Sequence, residues 1–379
     1  MNMDELRGEI DAIDEEMRVL FEKRMGVSAQ IAAHKAENHL PLYDRTRERD
    51  LLYRVTESAA PELSGYEKTL FTSILELSRA YQAKTIQPDS AIPGIIRGAL
   101  ANTPDIFPKS AVVACQGVEG AYSQLACDKL FSVCNIMFMN RFRGVFDAVN
   151  SGLCRYGVLP LENSTAGSVN EVYDLMEEYR FYIVRSVRLH IQHLLLALPG
   201  VQMGDVREIY SHSQALSQCS EFLKSLADVR VTPCDNTAIA AQNAAKSGRR
   251  DVAVISSEDC AELYGLVPLA HQIQNAGNNY TRFICISKKP EIYPGARRSS
   301  LMMTLTHRPG SLYRALSKLN ALDINLIKLE SRPLLGRDFE FMFYFDMDCP
   351  VYAEELPQVL RELESEAPLF QYLGTYNEI

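Results

Sequence analysis

The feature that most constrains this chain is a long apolar pattern at its N-terminus. The apolar residues recur at alternating spacings of four and three, at Leu6, Ile10, Ile13, Met17 and Leu20. The pattern continues to about residue 37 without a proline, which predicts one helix of ~35 residues and ~50 Å. Residues 1–86 alone cannot bury both ends of such a rod. The sequence therefore predicts a partner subunit along this helix.

Two proline-containing stretches divide the chain into three predicted domains. The first stretch covers residues 87–108, and the second, residues 288–297, reads KKPEIYPGAR. Proline and clustered charge are typical of linkers. The stretches separate an all-helical part (1–86), a middle part (109–287) and a C-terminal part (298–379).

Composition is that of an ordinary globular protein. Hydrophobic residues make up 47% and charged residues 23%, and the formal net charge is −9. An acidic chain disfavours nucleic acid as a partner, because nucleic-acid surfaces bind basic faces. No apolar run approaches the ~20 residues that span a bilayer, and the acidic N-terminus is unlike a signal peptide. We therefore expect a cytoplasmic protein without a membrane contact. Its nine cysteines lack zinc-site spacing and are interpreted as reduced core residues.

The most informative local feature is Arg24, which stands in the apolar seam four residues after Leu20. A charge in an apolar stripe is costly unless it is paired. Lys35 lies eleven residues further on, about three turns, so the two cations share one face. Two interpretations are open: the cations snorkel at a helix edge, or they form part of a site for an anion. Two more predicted helices, 44–56 and 66–84, bring further polar residues.

This part of the sequence resembles the all-helical chorismate mutase domain of bacterial P-proteins. The resemblance covers nearly all of residues 4–84, in the run LRGEIDAID…EKR…K…DRTRERDLL…LELSRAYQ. It implies that Arg24 and Arg47 bind the substrate carboxylates and that the partner subunit lends Arg7. The side chains implied at the ether oxygen are Lys35 and Gln82. The side chains implied near the ring hydroxyl are Asp44, Glu48 and Ser78.

These residue types suit a pericyclic rearrangement, which needs no nucleophile and no base. Such a reaction requires a reactive conformer held in place and donors aimed at the oxygen where charge develops. Arginines bind carboxylates bidentately, and lysine and glutamine supply hydrogen-bond donors.

The middle part alternates short β-branched runs with helical stretches. Strands are predicted at AVVAC (111–115), YGVLP (156–160), EIYSH (208–212) and DVAVISS (251–257). This order predicts an α/β region with a largely parallel sheet, whose ligands lie at the carboxyl ends of strands. Five polar motifs follow predicted strands: GVEGAYSQ, PLENSTAGSV, YSHSQALSQC, DNTAIAA and NNYTRF. Each motif alone fits an ordinary helix cap or turn.

Together the five motifs resemble prephenate dehydratase, over essentially all of residues 111–286. The family has two α/β lobes with the active site in the cleft between them. The resemblance makes Thr281 the catalytic hydroxyl, with Arg282 and Phe283 beside it. The other side chains implied at the cleft are Glu162, Asn163, Ser164, Ser211, Gln218, Asn236, Thr237 and Ala238. No metal, nucleotide or redox cofactor is expected.

An unassisted threonine is a poor acid. We therefore predict that a hydrogen-bonded neighbour polarises Thr281, and Glu162 is the first candidate. The sequence also departs from many relatives at Asn275, where aspartate is commoner. We interpret that departure as variation with a small effect.

The C-terminal part has the order β-α-β-β-α, which is typical of a small ferredoxin-like α+β domain. The segments THRPGSLYRAL and NLIKLESRP resemble the ACT regulatory domain attached to prephenate dehydratases. The resemblance implies a phenylalanine site formed by Gly310, Ser311, Leu312, Glu330, Ser331, Arg332 and Pro333. Glu330 and Arg332 supply the opposite charges that a free amino acid needs, or pair with each other. ACT domains usually bind their ligand between subunits, which favours a homodimer or homotetramer.

The three resemblances together imply a multidomain enzyme of phenylalanine biosynthesis. It would convert chorismate to prephenate and prephenate to phenylpyruvate, with inhibition by L-phenylalanine. Two alternatives remain open: a dehydratase whose helical domain only dimerises, and a non-catalytic small-molecule binding protein. A dehydrogenase is disfavoured, because GVEGAYS does not follow the glycine pattern of a dinucleotide site.

Overall fold

A computed structural model describes residues 2–38, 40, 43–85, 90–334, 340–353 and 355–379. Pro41, the predicted end of the first helix, and residues 87–89 of the first predicted linker lie outside this description. Two compact units are present. One consists of residues 1–94 and 302–370, and the other of residues 95–301 and 371–379.

Three helices form the N-terminal part: α1 (Met3–Glu37), α2 (Arg45–Ser58) and α3 (Ser64–Thr85). The predicted long helix is confirmed over its full extent. It begins with a capping box, because Asn2 and Glu5 each accept a hydrogen bond from the other's backbone N–H at 2.9 and 2.8 Å. Both α1 and α2 pack against α3. The apolar seam of α1 stays largely exposed in the single chain.

The first predicted linker contains a helix, α4 (Ile92–Asn102). Proline led us to expect an irregular segment, but Pro93 is the second residue of the helix. At that position the missing N–H has no partner to lose, and the fixed φ angle is already helical. The buried side chains of Ile92, Ile96 and Ala99 repeat at spacings of four and three.

The middle part begins with one group of elements: β1 (Ser110–Gln116), α5 (Tyr122–Leu130), β2 (Val133–Met139), α6 (Phe142–Asn150), β3 (Tyr156–Asn163), β4 (Gly167–Ser168), α7 (Asn170–Tyr179) and β5 (Tyr182–His190). A second group follows: β6 (Leu194–Ala197), β7 (Glu208–His212), α8 (Ser213–Gln218), α9 (Ser220–Lys224), β8 (Arg230–Cys234), α10 (Thr237–Ser247), β9 (Val252–Ser256), α11 (Glu258–Tyr264) and β10 (Val267–Ala270). β11 (Tyr280–Ser287) then returns to the first group.

The C-terminal elements are β12 (Arg298–Thr304), α12 (Ser311–Ala321), β13 (Asn325–Pro333), β14 (Phe341–Asp348), α13 (Glu355–Glu366) and β15 (Phe370–Glu378). The predicted β-α-β-β-α order is present, with one further strand at the end. β13 and β14 pair antiparallel, and α12 contacts α13.

Two sheets give the middle part its two lobes. In the first, the strand order is β15-β5-β11-β3-β1-β2, and in the second it is β10-β6-β9-β7-β8. The predicted parallel pairing holds for β1 with β2 and β3, and for β7 with β8 and β9. Each sheet is nevertheless mixed, because β11 runs antiparallel to β3 and β5, and β6 runs antiparallel to β9 and β10.

The chain crosses between the two lobes twice, through residues 191–193 and residues 271–279. Each sheet has its own buried apolar clusters against its helices. The crossings therefore lie where polar side chains from both lobes can meet. Among the described residues, no helix combines the length and the apolar character needed to cross a membrane.

Candidate active sites

The first cluster of polar side chains lies between α1 and α3. The guanidinium of Arg24 donates to Ser78 Oγ, and Ser78 Oγ donates to the carbonyl of Ile74 at 2.7 Å. One turn away on each helix, Gln82 Nε2 donates to Ser28 Oγ at 2.7 Å. Ser28, Ser78 and Gln82 are all buried. The predicted one-turn relation of Ser78 and Gln82 thus directs both side chains to α1.

Arg24 is a half-buried cation that lacks a carboxylate within ion-pair distance in the described part of the chain. Burial lowers its pKa, and the nearby charge of Glu48 opposes that effect. Its side chain turns toward α3 and Ser78, so it does not extend along a helix edge into water. A half-buried cation without an ion-pair partner is suited to binding an anion.

Glu48 forms an ion pair with Arg79, and the two side chains are 18% and 19% exposed. The guanidinium of Arg79 also stacks over the ring of Tyr43, 5.3 Å from its centroid. Arg79 was not a predicted site residue. It follows Ser78 directly, on a helix face that the spacing argument did not consider.

The remaining predicted mutase residues are less enclosed. Asp44 caps α2 by accepting from the backbone N–H of Arg47 at 3.0 Å, and the side chain of Arg47 is exposed. Lys35 is half-buried on α1. Arg7 is 73% exposed and lies 3.7 Å from Asp4. It is ~25 Å along α1 from Arg24, given 17 positions at about 1.5 Å each.

The second cluster surrounds Thr281 at the start of β11. Thr281 pairs in register with Asn163 at the end of β3, so both side chains point to the same face of the sheet. Asn163 Nδ2 donates to Thr281 Oγ1 at 2.9 Å and to Asn279 Oδ1 at 2.7 Å. Thr281 is 9% exposed. Its hydroxyl is thus oriented by an amide.

Gln218 brings the second lobe to this cluster. Its Nε2 donates to Thr165 Oγ1 at 2.8 Å and lies 3.4 Å from Asn163 Oδ1. Its Oε1 accepts from Asn279 Nδ2 at 3.1 Å and is 2.9 Å from His193 Nε2. The end of α8, the end of β3 and both crossing segments therefore meet at one hydrogen-bonded cluster.

Glu162 does not take the predicted role of polarising Thr281. It pairs with Arg282 at 2.8 Å, in register on the sheet face opposite to Thr281 and Asn163. Arg282 is 2% exposed and Glu162 is 25% exposed, so the cation of this pair is buried and the carboxylate is partly accessible. The expectation failed because neighbouring residues of a strand face opposite sides, and Asn163 occupies the side that Thr281 shares.

Other predicted cleft residues have structural contacts. Phe283 lies in the apolar core of the first sheet. Ser211 is fully buried and donates to the Ile255 carbonyl at 2.7 Å. Ser164 Oγ donates to the Asn278 carbonyl at 2.7 Å and accepts from the backbone N–H of Tyr280 at 2.9 Å.

The turn at residues 236–238 opens a helix, as predicted. Asn236 caps α10 by accepting from the N–H of Ala238 at 2.7 Å, and Thr237 is the first helical residue. The amide of Asn236 lies against Gly117 of the first motif. A Cβ at Gly117 would stand 3.0 Å from that amide, and the φ of +115° also favours glycine.

The predicted phenylalanine-site residues lie at the start of α12 and in the second half of β13. Gly310 adopts a φ of +80° immediately before α12, and Leu312 lies in the first turn of that helix. Ser311 is buried, and its Oγ accepts a hydrogen bond from the guanidinium of Arg314 at 2.8 Å. Glu330 and Arg332 point to the same face of β13, whereas Ser331 and Pro333 alternate with them. Glu330 pairs with Lys328 at 3.0 Å.

Three residues of the Thr281 cluster were missed by sequence analysis: Thr165, His193 and Asn279. Thr165 and Asn279 lie inside motifs that were recognised, so those motifs carried the signal. His193 lies in LHIQHLLLA, outside every motif, and only its polarity before an apolar strand marks it.

Two family models match separate parts of the chain. Chorismate mutase type II matches residues 6–83, and prephenate dehydratase matches residues 113–291. A solved prephenate dehydratase from Arthrobacter aurescens, in complex with L-Phe, matches with a TM-score of 0.64 and 25% identity. That match covers 70% of this chain and 89% of the other.

Curated relatives extend the comparison to the whole length. An arogenate dehydratase/prephenate dehydratase from Arabidopsis thaliana is 37% identical over 79% of this chain and 81% of its own length. A bifunctional chorismate mutase/prephenate dehydratase from Escherichia coli (strain K12) is 31% identical over 98% of this chain and 95% of its own. The two polar clusters lie inside the two matched regions. The chain therefore belongs to the family of bifunctional chorismate mutase/prephenate dehydratases.

Proposed function

We propose that this chain catalyses two successive reactions at two separate sites. The helical part rearranges chorismate to prephenate, and the two-lobed α/β part converts prephenate to phenylpyruvate, carbon dioxide and water. The observation that carries the proposal is the likeness to a bifunctional enzyme over 98% of the chain. Each matched region contains one enclosed cluster of polar side chains, which supports a site in each.

At the mutase site, Arg24 binds a substrate carboxylate, and Arg47 binds the other. Gln82 and Lys35 donate to the ether oxygen, where negative charge develops as the carbon–oxygen bond breaks. Gln82 Nε2 already donates to Ser28 in a buried position, so the substrate must compete with a short internal bond. Glu48, held by Arg79, accepts from the ring hydroxyl. Catalysis then consists of positioning and electrostatic stabilisation.

At the dehydratase site, Thr281 donates its proton to the leaving hydroxyl group. The ring carboxylate leaves as carbon dioxide, its bonding electrons complete the aromatic ring, and the hydroxyl departs as water. Because Asn163 Nδ2 donates to Thr281 Oγ1, the threonine's own hydrogen is free to point at the substrate. The hydrogen bond from the Asn163 amide also stabilises the negative charge that develops on Thr281 Oγ1 as the proton leaves. Solvent then returns the proton.

A homodimer through α1 completes the mutase site. The seam residues Ile13 and Leu20 are 55% and 65% exposed in the single chain, which is a large apolar stripe for a helix surface. A second copy packed along α1 covers this stripe. It also supplies Arg7 to the site of its partner, because Arg7 is too far along the rod to reach Arg24 of its own chain.

The C-terminal part is an ACT-type sensor for L-phenylalanine. The protein itself acts in the cytoplasm. The relative from Arthrobacter aurescens was solved with L-Phe. In this chain Ser311 and Gly310 begin α12, and the charged face of β13 presents Glu330 and Arg332. Inhibition follows if phenylalanine binds the less active conformation more tightly.

A second substrate has specific support. The Arabidopsis relative is named for both arogenate and prephenate. Arogenate replaces the keto group of the prephenate side chain with an ammonium group. The same Thr281 chemistry then yields phenylalanine directly.

The test is a substrate panel with purified protein. Chorismate, prephenate and arogenate are supplied separately, with and without L-phenylalanine, and products are separated chromatographically. We expect conversion of chorismate and prephenate, suppression of the second reaction by phenylalanine, and slower conversion of arogenate. Conversion of prephenate alone would make the helical part an assembly domain, and binding without any conversion would make the chain a binding protein.

A further inference from the structure

His193 is a buried histidine beside the Thr281 cluster for which the proposed chemistry has no role. It lies in the first crossing between the lobes, immediately before β6, and is 2% exposed. Its backbone N–H donates to Gln274 Oε1 at 3.1 Å, and its carbonyl accepts from Ile273 at 3.1 Å. His193 therefore joins the first crossing segment to the second.

Hydrogen positions in the cluster follow from two backbone N–H groups. Those of Thr165 and Ala166 donate to Asn163 Oδ1 at 3.0 and 2.9 Å. A backbone N–H can only donate, so this atom of the amide must be the oxygen. The other amide atom is then the nitrogen, and it faces Thr281 Oγ1 and Asn279 Oδ1.

The same assignment continues around a ring of three amides. Asn279 accepts from Asn163 through Oδ1, so its nitrogen faces Gln218 Oε1 at 3.1 Å. Gln218 Nε2 in turn faces Asn163 Oδ1 and Thr165 Oγ1. The ring is consistent in one direction only. A flip of the Gln218 amide would bring its nitrogen against the Asn279 nitrogen and its oxygen against the Asn163 oxygen.

The ring also determines the tautomer of His193. Gln218 Oε1 lies 2.9 Å from His193 Nε2, and a carbonyl oxygen only accepts. Nε2 must therefore carry a hydrogen. His193 Nδ1 is buried with no hydrogen-bond partner among the residues that the structure describes. A second proton at Nδ1 would have no acceptor there, and burial lowers the pKa of this histidine.

We propose that His193 is a positioning residue of the dehydratase site, held as the neutral Nε2–H tautomer, that locks the Gln218–Asn163–Asn279 amide ring. The lock keeps Asn163 Nδ2 on Thr281 Oγ1 and so keeps the threonine hydrogen directed at the substrate. This inference rests on the proposed role of Thr281. It predicts that losing the Nε2–H donor lowers kcat more than it changes KM, because His193 is 2% exposed and acts on Thr281 through Gln218.

Two substitutions of His193 distinguish the effect of its Nε2–H donor from the effect of its side-chain volume. His193→Leu introduces an apolar side chain of similar size and removes the donor, whereas His193→Gln places an amide nitrogen close to the position of Nε2. We expect His193→Leu to lower kcat for prephenate roughly 10- to 100-fold, because a small misplacement of a reacting group costs up to about 100-fold. We expect His193→Gln to recover most of that loss.

The outcomes distinguish this inference from the proposal on which it rests. Thr281→Val, assayed in parallel, tests the site itself, and full activity in that variant would move the dehydratase site elsewhere. An inactive Thr281→Val with a fully active His193→Leu would overturn only the role of His193. A His193→Gln variant that is folded but as slow as His193→Leu would overturn it too.

A spectroscopic measurement on the unmodified protein covers the case in which His193→Leu does not fold. The chain has seven histidines, and ¹⁵N-histidine NMR spectra of the wild type and His193→Gln identify the signal of His193. We expect a neutral Nε2–H pattern at pH 7.5 that persists at pH 6.5, the ordinary histidine pKa, because burial lowers the pKa of His193. A Nδ1–H pattern, or a fully protonated ring near pH 6.5, would overturn the assignment.

Discussion

At the scale of single residues, side-chain chemistry in this chain depends on which atom of each amide faces its neighbour. Asn163 uses its oxygen for the backbone of the loop after β3 and its nitrogen for Thr281. An amide can accept with one atom and donate with the other, which suits the position beside Thr281 better than the carboxylate of the predicted Glu162. A carboxylate in that position would accept the hydroxyl hydrogen and leave none for the substrate.

Asn163→Asp tests this polarity without changing shape. We expect the dehydratase rate to fall about 100-fold, the effect of losing one oriented donor at a reacting oxygen, while the mutase rate is unchanged. Asn275→Asp is the matched control, because the Asn275 side chain bonds only to Ser217, Ser220 and Glu221 among the described residues. Its one link to the cluster is a backbone N–H bond to the Gln218 carbonyl at 2.7 Å, which the substitution leaves in place. Comparable losses of dehydratase activity in both variants would contradict the role of Asn163.

The buried side chain of His193 makes the folding stability of the protein depend on pH. Burial lowers the pKa of His193 below its ordinary value of 6.5. The unfolded chain therefore takes up a proton first as pH falls, and stability present above about pH 6.5 is lost below it. The loss from this group is at most about 1.4 kcal/mol per pH unit.

Thermal unfolding midpoints of the wild type and His193→Gln, measured from pH 7.5 to pH 5, check this direction. We expect the wild type to lose stability more steeply than the variant below pH 6.5. The pKa of His212 is lowered by burial as well, and its contribution cancels because both proteins contain it. Parallel curves for the two proteins would show that His193 does not titrate as described.

At the scale of secondary-structure elements, hydrophobic periodicity predicted those helices and strands whose bounds depend on the local sequence. The bounds of α1 and β7 agree with the sequence pattern, because each has an uninterrupted period and clear end signals. The helix α4 was missed, since Pro93 was interpreted without regard to its place in a first turn. The prediction of a largely parallel sheet was also wrong for β6 and β11, which run antiparallel to their neighbours. Whether β11 runs parallel or antiparallel depends on the return of the chain from the second lobe, which local sequence does not encode.

The exposed seam of α1 makes an element-scale prediction. Ile13→Asp should weaken self-association at least ~100-fold, because a dimer would bury the added charge without a partner. Mutase activity should fall with dissociation, while conversion of prephenate by the α/β part continues. Light scattering combined with size exclusion gives the oligomeric state.

Ala33→Asp is the matched control for this experiment. Ala33 is exposed on the same helix and lies about 160° around it from Ile13, at 3.6 residues per turn. This variant should remain fully associated. An Ile13→Asp variant that stays associated would place the subunit interface elsewhere on the chain.

At the scale of the whole molecule, one polypeptide combines two catalytic chemistries. The positions of the five dehydratase motifs were readable from the sequence, and the structure brings three of them to Thr281 through Asn163, Gln218 and Asn279. The contacts among them were not readable. They depend on the pairing of β3 with β11 and on the crossing segments, which only the folded α/β part determines.

The most direct test of two independent sites uses one substitution in each. Arg24→Gln removes the half-buried cation of the helical part, and Thr281→Val removes the hydroxyl of the α/β part at constant shape. Arg18→Gln is the control, because Arg18 is an exposed arginine on α1 whose ion pairs, within the described ranges, are those with Glu15 and Glu22. Each purified protein is assayed separately with chorismate and with prephenate.

We expect Arg24→Gln to lose chorismate conversion by about 100-fold or more and to keep prephenate conversion, since losing a charge-assisted carboxylate contact affects only its own site. Thr281→Val should show the reverse, and Arg18→Gln should keep both rates. A folded Arg24→Gln or Thr281→Val variant that loses both activities would contradict the assignment of two separate sites.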